Sequence, residues 1–285
     1  MTPDSFEYDL VCIGSGPAGQ RGAVQAAKMG RRVALVEKRS TLGGICLDTG
    51  TIPSKTFREA VVWAVGVARG DGKARTSPPR PAIDQLIDRI ADVVQCEATV
   101  IANQLSRNNV EVLCGEAAFV APHRLRVGGP AGWRELTAAN VLIATGTEPV
   151  APPIVGRDGV VITSDEVTAI KRLPRTIAVV GAGVIGIEYA SMFSALGIEV
   201  TVIDRRDRPL EFLDSEIVDE LIHQMRKRNV HFRLGEAVES LETDGGASPR
   251  AVLTLESGKR IVADVALFSV GRVGATASLA SSTRA

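Results

Sequence analysis

Residues Tyr8–Glu37 read YDLVCIGSGPAGQRGAVQAAKMGRRVALVE, and this stretch decides the fold. The apolar run Tyr8–Ile13 has the length of a buried strand and breaks on Gly14-Ser15-Gly16-Pro17-Ala18-Gly19. An alanine-rich helical segment follows to Met29. After Gly30 comes a second apolar run, Val33–Val36, which ends on Glu37. A strand, a glycine turn, a helix and a second strand tipped by an acid form the pattern of a dinucleotide-binding βαβ unit. The three glycines serve different ends, namely a tight turn, close approach of backbone to a pyrophosphate, and close packing of helix on strand. The helix start offers N–H groups and the positive end of its dipole to phosphates. Glu37 is placed to accept a hydrogen bond from a ribose hydroxyl.

The unit recurs. Thr176–Val180 runs into Gly181-Ala182-Gly183-Val184-Ile185-Gly186, a helical stretch reaches Leu196, and Val200–Ile203 ends on Asp204. Glu37 lies 23 positions after Gly14, and Asp204 lies 23 after Gly181. One GxGxxG is a weak signal, but two in the same context with the same spacing are a strong one. Two dinucleotide sites imply a molecule that brings two cofactors together, and flavin plus nicotinamide is the natural pair.

The composition agrees with a globular chain of two domains: 285 residues, 45% hydrophobic and 23% charged. Lys+Arg 33 against Asp+Glu 33 gives no overall attraction to nucleic acid or an acidic membrane. Charge-free runs such as Leu136–Thr147 stop well short of the roughly 20 residues of a membrane span. Met1–Asp9 lacks the order of a signal peptide. Three His, and four Cys (Cys12, Cys46, Cys96, Cys114) without ligand spacing, point away from a metal centre. A reducing cytosol is the expected compartment.

Elsewhere the pattern predicts a helix over Thr51–Val67, a mobile connector over Arg69–Pro81 and an amphipathic helix over Ala82–Asn108. Val110–Cys114, Ala117–Val120 and Arg124–Val127, with a turn at Gly128–Gly132, read as a small antiparallel sheet. Val141–Ala144 reads as a further buried strand, Glu148–Asp158 as a hinge, and Ser164 as the cap of a short helix to Lys171. A helix over Glu216–Asn229 and strands over Val230–Leu234, Ala251–Leu255 and Val262–Phe268 complete the second unit. Ser278–Ala285 has no periodicity and reads as loose.

Between the first unit and the first long helix lies Leu42-Gly43-Gly44-Ile45-Cys46-Leu47-Asp48-Thr49-Gly50-Thr51-Ile52-Pro53-Ser54-Lys55. Here the chain resembles the pyridine nucleotide–disulfide oxidoreductase family, which usually carries G-G-x-C-x4-C-x-P-[SK]-K. The resemblance runs from Tyr8 to about Ala275 and takes in Ala144-Thr145-Gly146, Glu188 and Gly271-Arg272. It departs at one place: the second cysteine is Thr51, and a hydroxyl cannot take part in thiol–disulfide exchange. Within the family, Thr49–Lys55, Arg58-Glu59-Ala60 and Gly181–Phe193 are similar to the soluble transhydrogenases.

The resemblance implies an α/β fold of two Rossmann-like domains, the second inserted in the first. Residues 1–150 would bind FAD, with the last strand of that domain missing; residues 151–275 would bind NAD(P); 276–285 would be a loose tail. The flavin would be held by the first glycine turn, Glu37, Lys38, Arg39, Gly43, Gly44, Cys46, Thr51, Lys55, Ala117, Thr145 and Gly146. The coenzyme would be held by Gly181, Gly183, Val184, Ile185, Gly186, Glu188, Asp204, Arg205, Arg206 and Gly271. Lys55 and Glu188 would be the catalytic pair. Asp204 suits a ribose 2′-hydroxyl, whereas Arg205 and Arg206 suit a 2′-phosphate. The implied reaction is hydride transfer between NADPH and NAD⁺ through FAD. Another acceptor (a quinone, a dye, oxygen) and a non-catalytic nucleotide-binding fragment are the alternatives. Full-length relatives would be homo-oligomers, with a C-terminal dimerisation domain that this chain lacks.

Overall fold

The computed structural model describes residues 6–70, 83–129, 132–152, 159–246 and 248–279. Most of the connector expected at Arg69–Pro81 and the second half of the hinge expected at Glu148–Asp158 lie outside these residues. In chain order the elements of the first half are β1 (Tyr8–Ile13), α1 (Pro17–Lys28), β2 (Val33–Glu37), α2 (Gly44–Asp48), α3 (Thr51–Gly70), α4 (Ile83–Arg107), β3 (Glu111–Cys114), β4 (Glu116–Ala121), β5 (Arg124–Gly129), β6 (Gly132–Ile143) and β7 (Thr147–Pro149). The second half carries β8 (Val161–Thr163), a 3₁₀ turn (Ser164–Ala169), β9 (Thr176–Val180), α5 (Val184–Ala195), β10 (Glu199–Asp204), α6 (Ser215–Arg226) and β11 (Val230–Leu234). It ends with β12 (Val238–Thr243), β13 (Ala251–Leu255), β14 (Arg260–Ala263), β15 (Val265–Phe268), β16 (Arg272–Gly274) and a turn at Ala277–Leu279.

The chain divides into two compact units. Unit 1 comprises Met1–Pro53, Ala91–Glu148 and Val273–Ala285; unit 2 comprises Ser54–Ile90 and Pro149–Arg272. This division differs from the one read in the sequence, because Ser54–Ile90 falls in unit 2 and the chain returns to unit 1 at Val273.

In unit 1 the strand order is β3-β2-β1-β6-β5-β4. β3, β2, β1 and β6 run parallel, while β6-β5-β4 is an antiparallel meander. β3 therefore belongs to the parallel sheet and not to the small antiparallel sheet expected from its sequence. β6 also corrects the reading: it is one strand that serves both arrangements. Its first half pairs with β5, and Ala138–Ile143 pairs with β1. Leu136 in the antiparallel half and Ala138 at the start of the parallel half are both buried. On the other face α4 presents Ala98, Ile101 and Leu105, spaced as one helical stripe, to Cys12, Leu35 and Leu47.

Unit 2 has the parallel order β11-β10-β9-β15-β8, beside the antiparallel β12-β13-β14. α5 is apolar on nearly every side because both faces are covered. The run read as one strand over Val262–Phe268 breaks at Asp264, whose carboxylate accepts from the N–H of Arg175 at 2.7 Å. The expected Ser164 cap is also displaced. Thr163 caps the turn, its N–H and hydroxyl donating to Glu166 at 2.8 and 3.0 Å. Ser164 is buried beside Arg272, which forks onto Asp165 at 2.6 and 3.2 Å.

Candidate functional site

Each unit opens a cleft at the carboxyl end of its parallel strands, where the strand before the glycine turn, β1 or β9, is flanked by neighbours reached in opposite directions. Ligands bind open α/β sheets at this topological switch point. The clefts measure about 300 Å³ in unit 1 and about 630 Å³ in unit 2, within the range of small-molecule sites.

The glycines of both turns divide into two kinds. A Cβ on Gly19 would stand 1.8 Å from the Gly14 carbonyl oxygen, and one on Gly186 would stand 1.9 Å from that of Gly181. These glycines seat the helix on the strand. By contrast, a Cβ on Gly16 or Gly183 would meet nothing within 4 Å. Both are N-cap residues in extended conformation, with no side chain capping the helix. That leaves an open cradle lined by backbone N–H groups, which is what a pyrophosphate requires.

The acids at the strand tips anchor the turns. Glu37, buried, accepts from the Ser15 N–H (2.9 Å), the Ser15 hydroxyl (2.5 Å) and the Arg39 N–H (2.9 Å). Ser15 in turn accepts from the Gly43 N–H at 2.9 Å, so one hydroxyl ties the turn, the acid and the glycine pair before Cys46 together. The Arg39 guanidinium is paired with Asp48. Asp204, also buried, accepts from the Ala182 N–H (2.5 Å), the Arg206 N–H (2.9 Å), and Arg206 Nε and Nη2 (3.0 and 2.7 Å). Burial alone would raise the Asp204 carboxyl; the hydrogen bonds from Arg206 and Ala182 outweigh it and hold the group below the ordinary aspartate range.

Of the residues expected in unit 1, Gly14, Ser15, Gly16, Pro17, Ala18, Glu37, Lys38, Arg39, Gly44, Cys46, Ala117, Thr145 and Gly146 line its cleft. Gly19 and Gly43 stand behind it as packing and hydrogen-bonding residues, and Thr51 is not among its lining. Gly181, Gly183, Asp204, Arg205, Arg206 and Gly271 line the cleft of unit 2, whereas Val184, Ile185 and Gly186 do not. Lys55 and Glu188 line neither, but unit 2 brings them into direct contact, Nζ to Oε1. The edge-to-face pair Phe57–Phe193 packs α3 on α5 beside them, with ring centroids 6.0 Å apart. Cys46 is a free thiol.

Several lining residues escaped the sequence reading, and two cases are instructive. Glu236 follows β11, the next strand of the unit 2 sheet, and strand position is the signal that would have found it. Ser278 and Leu279 come from the tail read as loose; Leu279 is buried with Tyr8, Leu125 and Leu136. Among the described residues, no helix is long and apolar enough to cross a membrane, and no cluster of three His, Cys, Asp or Glu fits a metal ion.

The signature of the pyridine nucleotide-disulphide oxidoreductases matches residues 8–284. The chain belongs to this family. It is 44% identical over 275 residues to a soluble pyridine nucleotide transhydrogenase of Mycobacterium tuberculosis and 38% identical over 274 residues to one of Marinobacter nauticus. Each match takes in 95% of this chain and 58% of the relative, so the chain spans little more than half the length of these curated relatives. Among solved structures, the HOCl-induced flavoprotein disulfide reductase RclA from Escherichia coli superposes with a TM-score of 0.82 at 31% identity. That match covers 95% of this chain and 58% of that one. FAD and NAD(P) are the cofactors that go with this family, and the two open cradles fit dinucleotides.

Proposed function

We propose that unit 1 holds FAD, that unit 2 holds the nicotinamide coenzyme, and that the protein moves hydride from NADPH to NAD⁺, giving NADP⁺ and NADH. The observation that carries this reading is Thr51 standing where the family has its second cysteine, with Cys46 a single free thiol on the unit 1 cleft. Without a dithiol, hydride has no exit through disulfide exchange. A second nicotinamide is then the acceptor, and the two coenzymes use one site in turn.

FAD, when bound, supplies the hydride chemistry; the protein supplies position and field. In unit 1 the N–H groups of Gly16 and Ala18 would receive the pyrophosphate, and Glu37 a ribose hydroxyl. Gly183 and the start of α5 do the same for the coenzyme. The family resemblance implies that the Lys55 ammonium would serve the flavin ring, and within unit 2 Glu188 pairs with it. The resemblance also supports a homo-oligomeric, cytoplasmic whole protein.

The test is spectroscopic. The purified chain is loaded with FAD and mixed with NADPH and the thionicotinamide analogue of NAD⁺. Growth of the reduced analogue's absorbance without any thiol or disulfide present is the expected result. Turnover of lipoamide or glutathione disulfide refutes the argument from Thr51. A chain that binds both nucleotides and transfers no hydride is a binding fragment.

A further inference from the structure

The acids Glu37 and Asp204 sit in the same local frame. Each accepts one N–H from the second residue of its glycine turn and one from the residue two places after itself. A carboxylate offers about four lone-pair positions. On Glu37 the Ser15 hydroxyl takes a third, which leaves one for a ribose hydroxyl. On Asp204 the third and fourth are both taken by the guanidinium of Arg206. The protein's own side chain fills the positions that a ribose would use.

The cause lies in what each unit offers its arginine. Arg39 and Arg206 occupy equivalent places, two residues after the acid. The Arg39 guanidinium is drawn off by Asp48 at the end of α2. Among the described residues, Arg206 has no ion-pair partner but Asp204, and Glu211 adds only through-space attraction. Arg205 beside it is exposed and makes no ion pair among the described residues. The other acid of the cleft, Glu236, is held by Lys259 at 2.6 Å and Ser257 at 2.9 Å, so it presents little repulsion to an incoming anion.

Resting on the reading of unit 2 as the coenzyme site, we infer that Arg206 is a switch that lets one cleft take both coenzymes. With an unphosphorylated ribose, the guanidinium leaves Asp204 and the sugar hydroxyl takes its place. With a 2′-phosphate, the guanidinium exchanges its carboxylate partner for the phosphate and stands between the two anions, while Arg205 adds positive charge at the same lip. Either coenzyme finds a partner of the right sign, and Arg206 stays paired when the phosphate is present.

The test uses the full 285-residue chain with saturating FAD, so that unit 1 is filled, and calorimetric titration with 5′-AMP and with adenosine 2′,5′-bisphosphate. R206A removes the competitor for Asp204, so 5′-AMP should bind about two- to five-fold tighter, the worth of a half-exposed ion pair. The bisphosphate should bind about ten-fold weaker, the low end for a charge-assisted hydrogen bond. D204N releases the guanidinium and should move both affinities the opposite way. If R206A weakens both ligands equally or changes neither, the switch is overturned and the cleft reading stands. If the wild-type chain binds neither ligand, both fall together.

Discussion

Replacing the second and third glycines of the unit 2 turn separately should divide binding from stability. In Gly186→Ala the new methyl lies 1.9 Å from the Gly181 carbonyl oxygen and 2.6 Å from Ser269 Oγ, where real contacts essentially never fall below 3.0 Å. The carbonyl belongs to backbone, so α5 must retreat by at least about 1 Å from its sheet. Overpacking of that kind costs about 3 kcal/mol. At about 2–4 °C per kcal/mol for a unit of this size, melting should fall by roughly 6–12 °C. Gly183→Ala meets nothing within 4 Å, and its φ of −76° and ψ of −175° suit any residue. Loss of a favourable N-cap costs about 0.5–1 kcal/mol, and the stiffer unfolded chain returns about 0.4–1 kcal/mol. Its melting should match wild type, while the methyl fills the cradle and NADH binding weakens at least about ten-fold, the loss of about one charge-assisted hydrogen bond. Circular dichroism melts and NADH fluorescence titrations on the three proteins decide the matter. A Gly183→Ala protein that binds NADH within a factor of about two of wild type, or a Gly186→Ala protein that melts with it, refutes the division of roles.

Other outcomes follow from single contacts. Burial, the hydrogen bond to Glu111 and its charge push the Tyr8 hydroxyl up to about 12 from 10.0. The unfolded chain therefore loses this proton before the folded one, so stability present below pH 10 drains away between pH 10 and 12. Tyr8→Phe should flatten that limb in urea unfolding, and an unchanged limb contradicts the assignment. Burial also pushes the Cys12 thiol up to about 11, so a thiol reagent at pH 7 should label exposed Cys96 and Cys114 and spare Cys12 until the chain unfolds. Rapid loss of all native thiols would speak against the position of β1. Asp165→Ala strips Arg272 of its forked partner and should cost about 2 kcal/mol in chemical denaturation; a change under about 0.5 kcal/mol, the ordinary surface range, argues that the pair is ornamental. Thr51→Cys should restore the family dithiol and lower the native thiol count by two after mild oxidation.

Both βαβ units were legible in the sequence because local signals agree there: short apolar runs, a turn that only glycine can make, and an acid at fixed distance. Parallel strands announce themselves as unbroken apolar runs. β6 was harder, since a single strand changes partner midway and its periodicity changes with it. β3 was misplaced because pairing is a long-range property that four residues do not encode. Asp264 and Thr163 act through hydrogen bonds to residues far off or just outside the expected element, so composition gave no warning of them. Among the candidate site residues, spacing led to Gly14–Ala18, Glu37, Gly181, Gly183 and Asp204, which line the clefts, and also to Gly19 and Gly186, which stand behind them. Glu236 could have been found from its place just after the expected strand Val230–Leu234, whereas Leu279 could not, because only the folded sheet brings it to the cleft. That Arg206 lies across Asp204 while Arg39 is held by Asp48 is a matter of side-chain competition, which sequence leaves undecided.

Leu279 has a consequence for how the molecule is made. The early strands of unit 1 leave the ribosome followed closely by the β4–β6 residues that pack on them, but Leu279, the last member of that cluster, arrives only after the chain comes back at Val273, about 125 residues after it departs at Glu148. At roughly 5–20 residues per second, that interval lasts roughly 6–25 s. Within it the whole of the parallel sheet of unit 2 is delivered and free to close. The described strands of the inserted unit are thus all made before Leu279 joins the cluster of the unit that holds it.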